Sequence, residues 1–287
     1  MAKKHHARNP VVPAAAKPPR SIAPLRSVTM ADVAARVGVS KMTVSRALSR
    51  NESSGRSTSE ALRQRILKTS KEMGYVIDQT ARTFSSKRSG FVAALIPALN
   101  NSNFSDTAHG LAAAVESSGL QVLLGYTDYD VHTEERLLRA MLTRRPEGVV
   151  LTGGSHTPAA RKLLESAGVP VVETWDLVAD PIEHTVGFSN AEATAELVRH
   201  LHAKGYRRIA FLGGVPESDA RGADRRRGFE VAASCHPQLT TVAVDCFGIG
   251  RSAGQLLLRA IEAARNGHRL PAETVMTPFR VEMRGST

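Results

Sequence analysis

The sequence predicts two units of different class in one chain: a small all-α headpiece, then a larger α/β unit built on parallel sheet with helices on both faces. Three observations carry this. Two short amphipathic helical patterns meet at Gly38, five apolar β-rich runs alternate with helical stretches after residue 90, and the positive charge gathers at the front of the chain.

Residues 1–26 are rich in Lys, Arg, Ala and Pro with nothing periodic to bury, which predicts a disordered basic arm. Three readings stay open for it: an arm that touches phosphates, a solubilising tail, or a misplaced start. Its acid-free, Arg-containing composition also has something of a transit peptide, but the prolines break any amphipathic helix.

From Thr29 the pattern becomes helical. Thr29 and Asp32 form a Thr-x-x-Asp capping box, and Val33, Ala34 and Val37 follow at helical spacing. Gly38 stands where a positive φ ends a helix, and Ser40 caps a second one over residues 41–48. Val44, Ala47 and Leu48 point one way from it; Lys41, Met42, Ser45 and Arg46 point the other. A tight joint containing Gly between two short amphipathic helices is the helix-turn-helix pattern, whose second helix enters the major groove.

A helical hairpin that only packs is the alternative, and charge decides against it. Residues 1–90 hold 18 Lys and Arg against 5 Asp and Glu, a net of +13, while the remainder holds 20 against 22, a net of −2. A duplex neutralised by cations explains that asymmetry; packing does not. Lys41, Met42 and Arg46 are the expected base readers, since Lys or Arg grips guanine O6 and N7 and Met lies against a thymine methyl. Thr29, Ser40, Thr43 and Ser45 suit phosphate contacts and capping, with a plain local cap or surface hydroxyl the alternative for Thr43 and Ser45. A third helix is expected over residues 58–73, opened by a Ser57–Glu60 capping box, buried through Leu62, Ile66 and Leu67, and ended by Gly74. The headpiece then spans residues 27–75, and 76–90 form a linker holding Arg82, Lys87, Arg88 and one apolar residue, Phe84.

Beyond the linker, FVAALIP, QVLLGYT, EGVVLTG, VPVVET and RIAFLGG read as strands, with helices between and after them at 104–118, 133–144, 158–167, 191–204 and 219–233. Strands apolar throughout and joined by helices imply a parallel sheet covered on both faces, with ligands beyond its carboxyl ends. No apolar run reaches the roughly 20 residues of a membrane span and no signal-peptide core opens the chain, so a cytoplasmic protein is expected. Cys235 and Cys246 have neither metal-ligand nor disulfide spacing and read as small buried residues. LTGGS is neither GxGxxG nor a P-loop, and no GxSxG occurs. No enzyme, cofactor or metal is therefore expected.

The block VTMADVAARVGVSKMTVSRAL, followed by residues 63–75 and ARTF, resembles the headpiece of the LacI/GalR family of bacterial transcription regulators, with the order Val-Ser-x-x-Thr-Val-Ser-Arg from Val39 to Arg46 its most specific part. KMTVSR, LTGGSHTP and VGFSN resemble the gluconate-repressor branch. The resemblance covers most of the chain. It implies a homodimer on a palindromic DNA operator, with residues 91–287 forming a two-lobed periplasmic-binding-protein-like domain that holds a small effector in its cleft. It also implies that the linker forms a hinge helix on operator, where Arg82 contacts DNA and Phe84 takes the place of an apolar wedge in the minor groove; packing of Phe84 on the neighbouring domain is the alternative. The family's Pro-Asn after the tyrosine is Ile77-Asp78 here.

The effector positions map onto Asn103, Phe104, Asp128 and Arg225, with Thr152 and His156 placed as in gluconate-type relatives. A fixed Arg suits a sugar-acid carboxylate, although Arg225, Arg226 and Arg227 read equally as a solvated helix face. One departure is large. Relatives carry about fifty further residues, the size of two βα units, between RRRGFEVAAS and CHPQLTTVAVD, so the second lobe is expected to be truncated near residues 234–235 by an internal deletion or a misread gene. The expected function is a nucleoid-associated repressor released by a sugar acid such as gluconate. A truncated relative that binds DNA but senses nothing, and a solute-binding module, are the alternatives.

Overall fold

The computed structural model describes residues 27–48, 59–76, 88–211, 220–232 and 241–282, which fall into two compact units, 1–78 and 79–287. In the first, α1 (Met30–Val37), α2 (Lys41–Leu48) and α3 (Glu60–Glu72) share one small core of Val33, Ala34, Val37, Val44, Ala47 and Ile66. The Thr29–Asp32 capping box forms, Gly38 takes a left-handed φ of 75°, and the Thr43 backbone N–H donates to Ser40 Oγ at 3.1 Å. Ser59, rather than Ser57, caps α3, accepting from the Leu62 N–H at 3.4 Å. Leu67 is a second departure. It is 37% exposed where Ile66 is fully buried, because adjacent residues lie about 100° apart around a helix and only one of the two can face α1 and α2. Two arginines of α3 tie the motif together: Arg65 donates to the Val37 carbonyl at 2.7 Å and Arg63 to that of Ala47 at 3.3 Å. These are C-terminal carbonyls that α1 and α2 leave without helical partners.

The second unit is a six-stranded, wholly parallel sheet in the order β2-β1-β3-β4-β5-β7. Its strands are β1 (Phe91–Ile96), β2 (Gln121–Tyr126), β3 (Val149–Thr152), β4 (Val171–Thr174), β5 (His184–Gly187) and β7 (Thr274–Met276). Alternate residues of β1 leave by opposite faces. Val92, Ala94 and Ile96 join a core with α4 (Ser102–Glu116) and α9 (Cys246–Arg265), whereas Ala93 and Leu95 join one with α5 (Val131–Leu142) and α6 (Pro158–Ala167). Side-chain caps on Asn101, Asp130, Thr157 and Ser189 open α4, α5, α6 and α7 (Asn190–Ala203). These caps start α4 and α5 two residues, and α7 one, ahead of the sequence expectation.

The last expected strand does not form. Residues 206–211 make only a single bridge at Arg208, and 212–214 lie outside the described residues. A parallel strand needs neighbours, and the chain passes instead from α8 (Ala220–Ala232) to a two-stranded antiparallel ribbon of β6 (Thr241–Val244) and β8 (Phe279–Glu282). Among the described residues there is no second parallel sheet. Phe211 packs on Phe229 of α8, with ring centroids 5.5 Å apart.

Helices α4 and α9 cross at glycines. A Cβ on Gly250 would strike the Thr107 carbonyl oxygen, and one on Gly110 that of Phe247. Gly250→Ala is therefore expected to force the helices apart and to lower stability by about 1–3 kcal/mol, read from the urea midpoint of the second unit's transition.

Candidate nucleic-acid interface and effector pocket

In the headpiece, α2 buries Val44 and Ala47 and turns Lys41, Arg46 and a 62% exposed Met42 to solvent. The three expected base readers thus share one outer surface. Ser40 and Thr43 sit just beneath, their hydroxyl oxygens 2.9 Å apart, and the Thr29 hydroxyl donates to Asp32 Oδ2 at 2.7 Å. Thr29, Ser40 and Thr43 are therefore engaged in caps, and Ser45 is half-buried on α2. Arg82 and Phe84 lie outside the described residues.

In the second unit, a pocket opens beyond the carboxyl ends of β1, β2 and β3, as a parallel sheet leads one to expect. Pro97, Thr127, Tyr129, Glu134, Thr152 and Arg221 are among the residues that line it. The turn after β2 holds Asp128 and Tyr129 at φ of 53° and 60°, a left-handed conformation uncommon for residues with a side chain. Thr152 reaches the pocket from the end of β3, its hydroxyl donating to the Leu95 carbonyl at 3.0 Å. Arg221 reaches it from α8, with its guanidinium carbon 5.7 Å from the centre of the Phe104 ring. Phe104 in turn packs on Tyr129 at 6.2 Å and Trp175 at 5.2 Å between centroids. Behind the same helix, burial raises the Asp176 carboxyl above its ordinary range, with the nearby Asp224 charge pushing the same way.

Of the six expected effector residues, only Thr152 lines the pocket directly. Phe104 lies beneath Arg221, His156 touches the lining residue Glu134, Asn103 is exposed on α4, and Asp128 is exposed in the turn. Arg225 is exposed on α8, one turn beyond Arg221, so the arginine presented to the pocket is the earlier of the two. Four-residue spacing places them on one helical side, and that spacing was the available signal. Glu134 gave none, because its partner His156 is on another element.

His156 is enclosed by acids. Its Nδ1 is 2.6 Å from Glu134 Oε1 and its Nε2 is 3.2 Å from Glu173 Oε1, with the ring only 3% exposed. Both nitrogens can donate only as the imidazolium. Burial alone pulls the ring's pKa down, but hydrogen bonds and charge from the two carboxylates outweigh it and raise the value to about 9.

The fold and the pocket define a class: a helix-turn-helix headpiece and an α/β ligand-binding unit carried in one chain. Residues 29–78 match the family of bacterial regulatory proteins called lacI, and residues 89–260 match the periplasmic binding proteins and sugar binding domain of the LacI family. The chain belongs to the LacI family. It is 37% identical over 213 residues to the HTH-type transcriptional regulator GntR of Pseudomonas aeruginosa, covering 74% of this chain and 61% of that one. It is 36% identical over 201 residues to GntR of Escherichia coli K12, covering 70% and 59%. The chain thus spans about 60% of the length of these curated relatives. A LacI-family transcriptional regulator from Silicibacter pomeroyi, 26% identical, superposes with a TM-score of 0.76 over 88% of this chain and 98% of that one. These relatives are transcriptional regulators, not enzymes, and their names point to the branch that the KMTVSR and LTGGSHTP segments resemble. Among the described residues, no helix is long and apolar enough to cross a membrane.

The raised His156 value fixes a sign. Stability from this imidazolium is complete below its ordinary 6.5 and is lost as the pH climbs through about 9. The stability gap between the wild type and His156→Gln is expected to shrink by about 3 kcal/mol between pH 6 and pH 10 in urea titrations.

Proposed function

We propose that this protein is a sequence-specific, DNA-binding repressor that acts as a homodimer on a palindromic operator and is released by a sugar acid such as gluconate. The observation that carries the reading is the outward face of α2, where Lys41, Met42 and Arg46 stand together in the chain's cationic front end. Its caps fix α2 in position before any DNA arrives, so little conformational entropy is left to lose on docking. The linker, with Arg82 and Phe84, completes the grip in the minor groove. Cytoplasmic residence, at the nucleoid, follows from that partner.

The effector half of the reading rests on chemistry. Arg221 offers a two-pronged donor for a carboxylate, Thr152 and Ser155 offer hydroxyls, and Tyr129 offers an apolar face with a polar tip. Release then occurs by population shift: effector favours one arrangement of α8 against the sheet and disfavours the operator-bound state by the same coupling energy. A second reading has its own observation. With no second parallel sheet among the described residues, the chain is alternatively a relative that holds DNA but does not respond to effector.

Fluorescence anisotropy separates the two. Gluconate titrated into the complex with an operator selected from random duplexes is expected to free the DNA; retention at saturating gluconate selects the second reading. Arg46→Ala is expected to weaken specific binding by about 1–3 kcal/mol and to relax base preference at one position, whereas unchanged affinity removes Arg46 from the groove. In calorimetric titrations, Arg221→Ala is expected to weaken gluconate binding by about tenfold or more, the weight of one charge-assisted pair.

A further inference from the structure

Glu134 combines burial with an unused acceptor. It lies in the first turn of α5, is buried, and lines the pocket. Oε1 is taken by His156 Nδ1 at 2.6 Å, but the second carboxylate oxygen has no hydrogen-bond partner among the described residues. That oxygen is open to solvent at the pocket, where a ligand hydroxyl can take the place of water. The carboxylate is also rigidly placed. Behind it His156 Nε2 meets Glu173 Oε1 at 3.2 Å, and Glu173 Oε2 accepts from the Ile182 N–H at 2.7 Å, which anchors the whole chain of groups to the segment between β4 and β5.

The other charged groups at the pocket have different employment. Asp130 caps α5, accepting from the Thr133 N–H at 2.8 Å and the His132 N–H at 3.2 Å, and Arg221 lies over Phe104. Two carboxylates and one imidazolium leave the Glu134–His156–Glu173 group with one net negative charge, so this wall repels a second anion while accepting hydroxyls.

We propose that Glu134, positioned by His156, is the specificity-determining residue of the pocket: it accepts hydroxyls from a polyhydroxy monocarboxylate bound with its acid group toward Arg221, and it rejects ligands carrying a second carboxylate at the far end. This rests on the sugar-acid reading above.

Gluconate and glucarate test it, because they share one carbon chain and differ only at the sixth carbon, a primary alcohol in one and a carboxylate in the other. The full chain is titrated calorimetrically with each. The wild type is expected to bind gluconate at least about tenfold more tightly than glucarate, and Glu134→Gln, whose amide can donate to a carboxylate, is expected to erase most of that ratio. A role of Glu134 in folding alone would leave the ratio unchanged. Equal binding of the two acids by the wild type, or an unchanged ratio in Glu134→Gln, overturns the proposal and leaves the sugar-acid reading standing. Binding of neither acid overturns that reading, and the proposal with it. If Glu134→Gln fails to fold, the wild-type ratio decides together with 15N NMR of the His156 ring. Both ring nitrogens are expected to be protonated at pH 7.5, and a neutral ring there overturns the positioning role.

Discussion

A wholly parallel sheet is apolar on both faces, and neither face tolerates water. That constraint governs the larger unit. One face is covered by α5 and α6, which follow the strands they protect at short range in sequence. The other needs α9, which arrives some seventy residues after β4 in the chain. Ile249, Ala253, Leu256, Leu257 and Ile261 fill the space over Val92, Val150, Val172 and Val186. Gly110, Gly250 and Gly254 bring α9 close enough to α4 for the two helices to form one continuous layer. With β7 then pairing β5 from Thr185↔Thr274 to Gly187↔Met276, the last described portion of the chain completes the six-stranded sheet. The sheet that positions the pocket is thus covered on both faces by elements that lie outside the stretch between α8 and β6.

Local rules were legible in the sequence, and long-range ones were not. Thr29, Asp32, Gly38 and Ser40 define α1, the joint and the start of α2 through contacts within four residues, and the structure follows them residue for residue. The same holds for the bounds of α6, expected and found at residues 158–167. The RIAFLGG run shows the opposite case. Its β-rich composition describes a residue set that suits a strand, but a strand exists only with neighbours, and composition carries no information about whether those neighbours remain in the chain. HTVG at 184–187 shows the converse: a short, unremarkable segment becomes β5 because β4 and β7 flank it.

The pocket divides along the same line. Thr152 was legible because a strand end in a parallel sheet is a predictable place. Arg221 and Arg225, on one side of α8, were separable only by knowing which turn of the helix lies at the pocket. His156 attracted notice as a ring near a strand end, yet it serves the pocket at one remove, through a carboxylate contributed by α5 and braced by another from β4. A three-residue ionic chain spanning positions 134, 156 and 173 leaves no periodic trace, since each member looks like an ordinary polar residue of its own element.

The layout of the pocket also restricts how any effector can act on the headpiece. A ligand shifts an equilibrium only by its difference in affinity for the two states, so contacts that are the same in both contribute nothing to a switch, however tight. Pro97, Thr127, Tyr129, Glu134, Thr152 and Ser155 all come from segments that follow β1, β2 and β3 directly and move with that sheet. Arg221 is the lining residue that comes from elsewhere, and α8 packs on α7, where a Cβ on Gly228 would run into the Ala191 backbone. On the proposed reading, contacts to the sheet-borne residues would add affinity alike in both states, while the contact to Arg221 would add affinity that can differ between them. On the reading proposed above, a ligand held by Glu134 and Thr152 without engaging Arg221 would occupy the pocket and leave the DNA-bound population where it was.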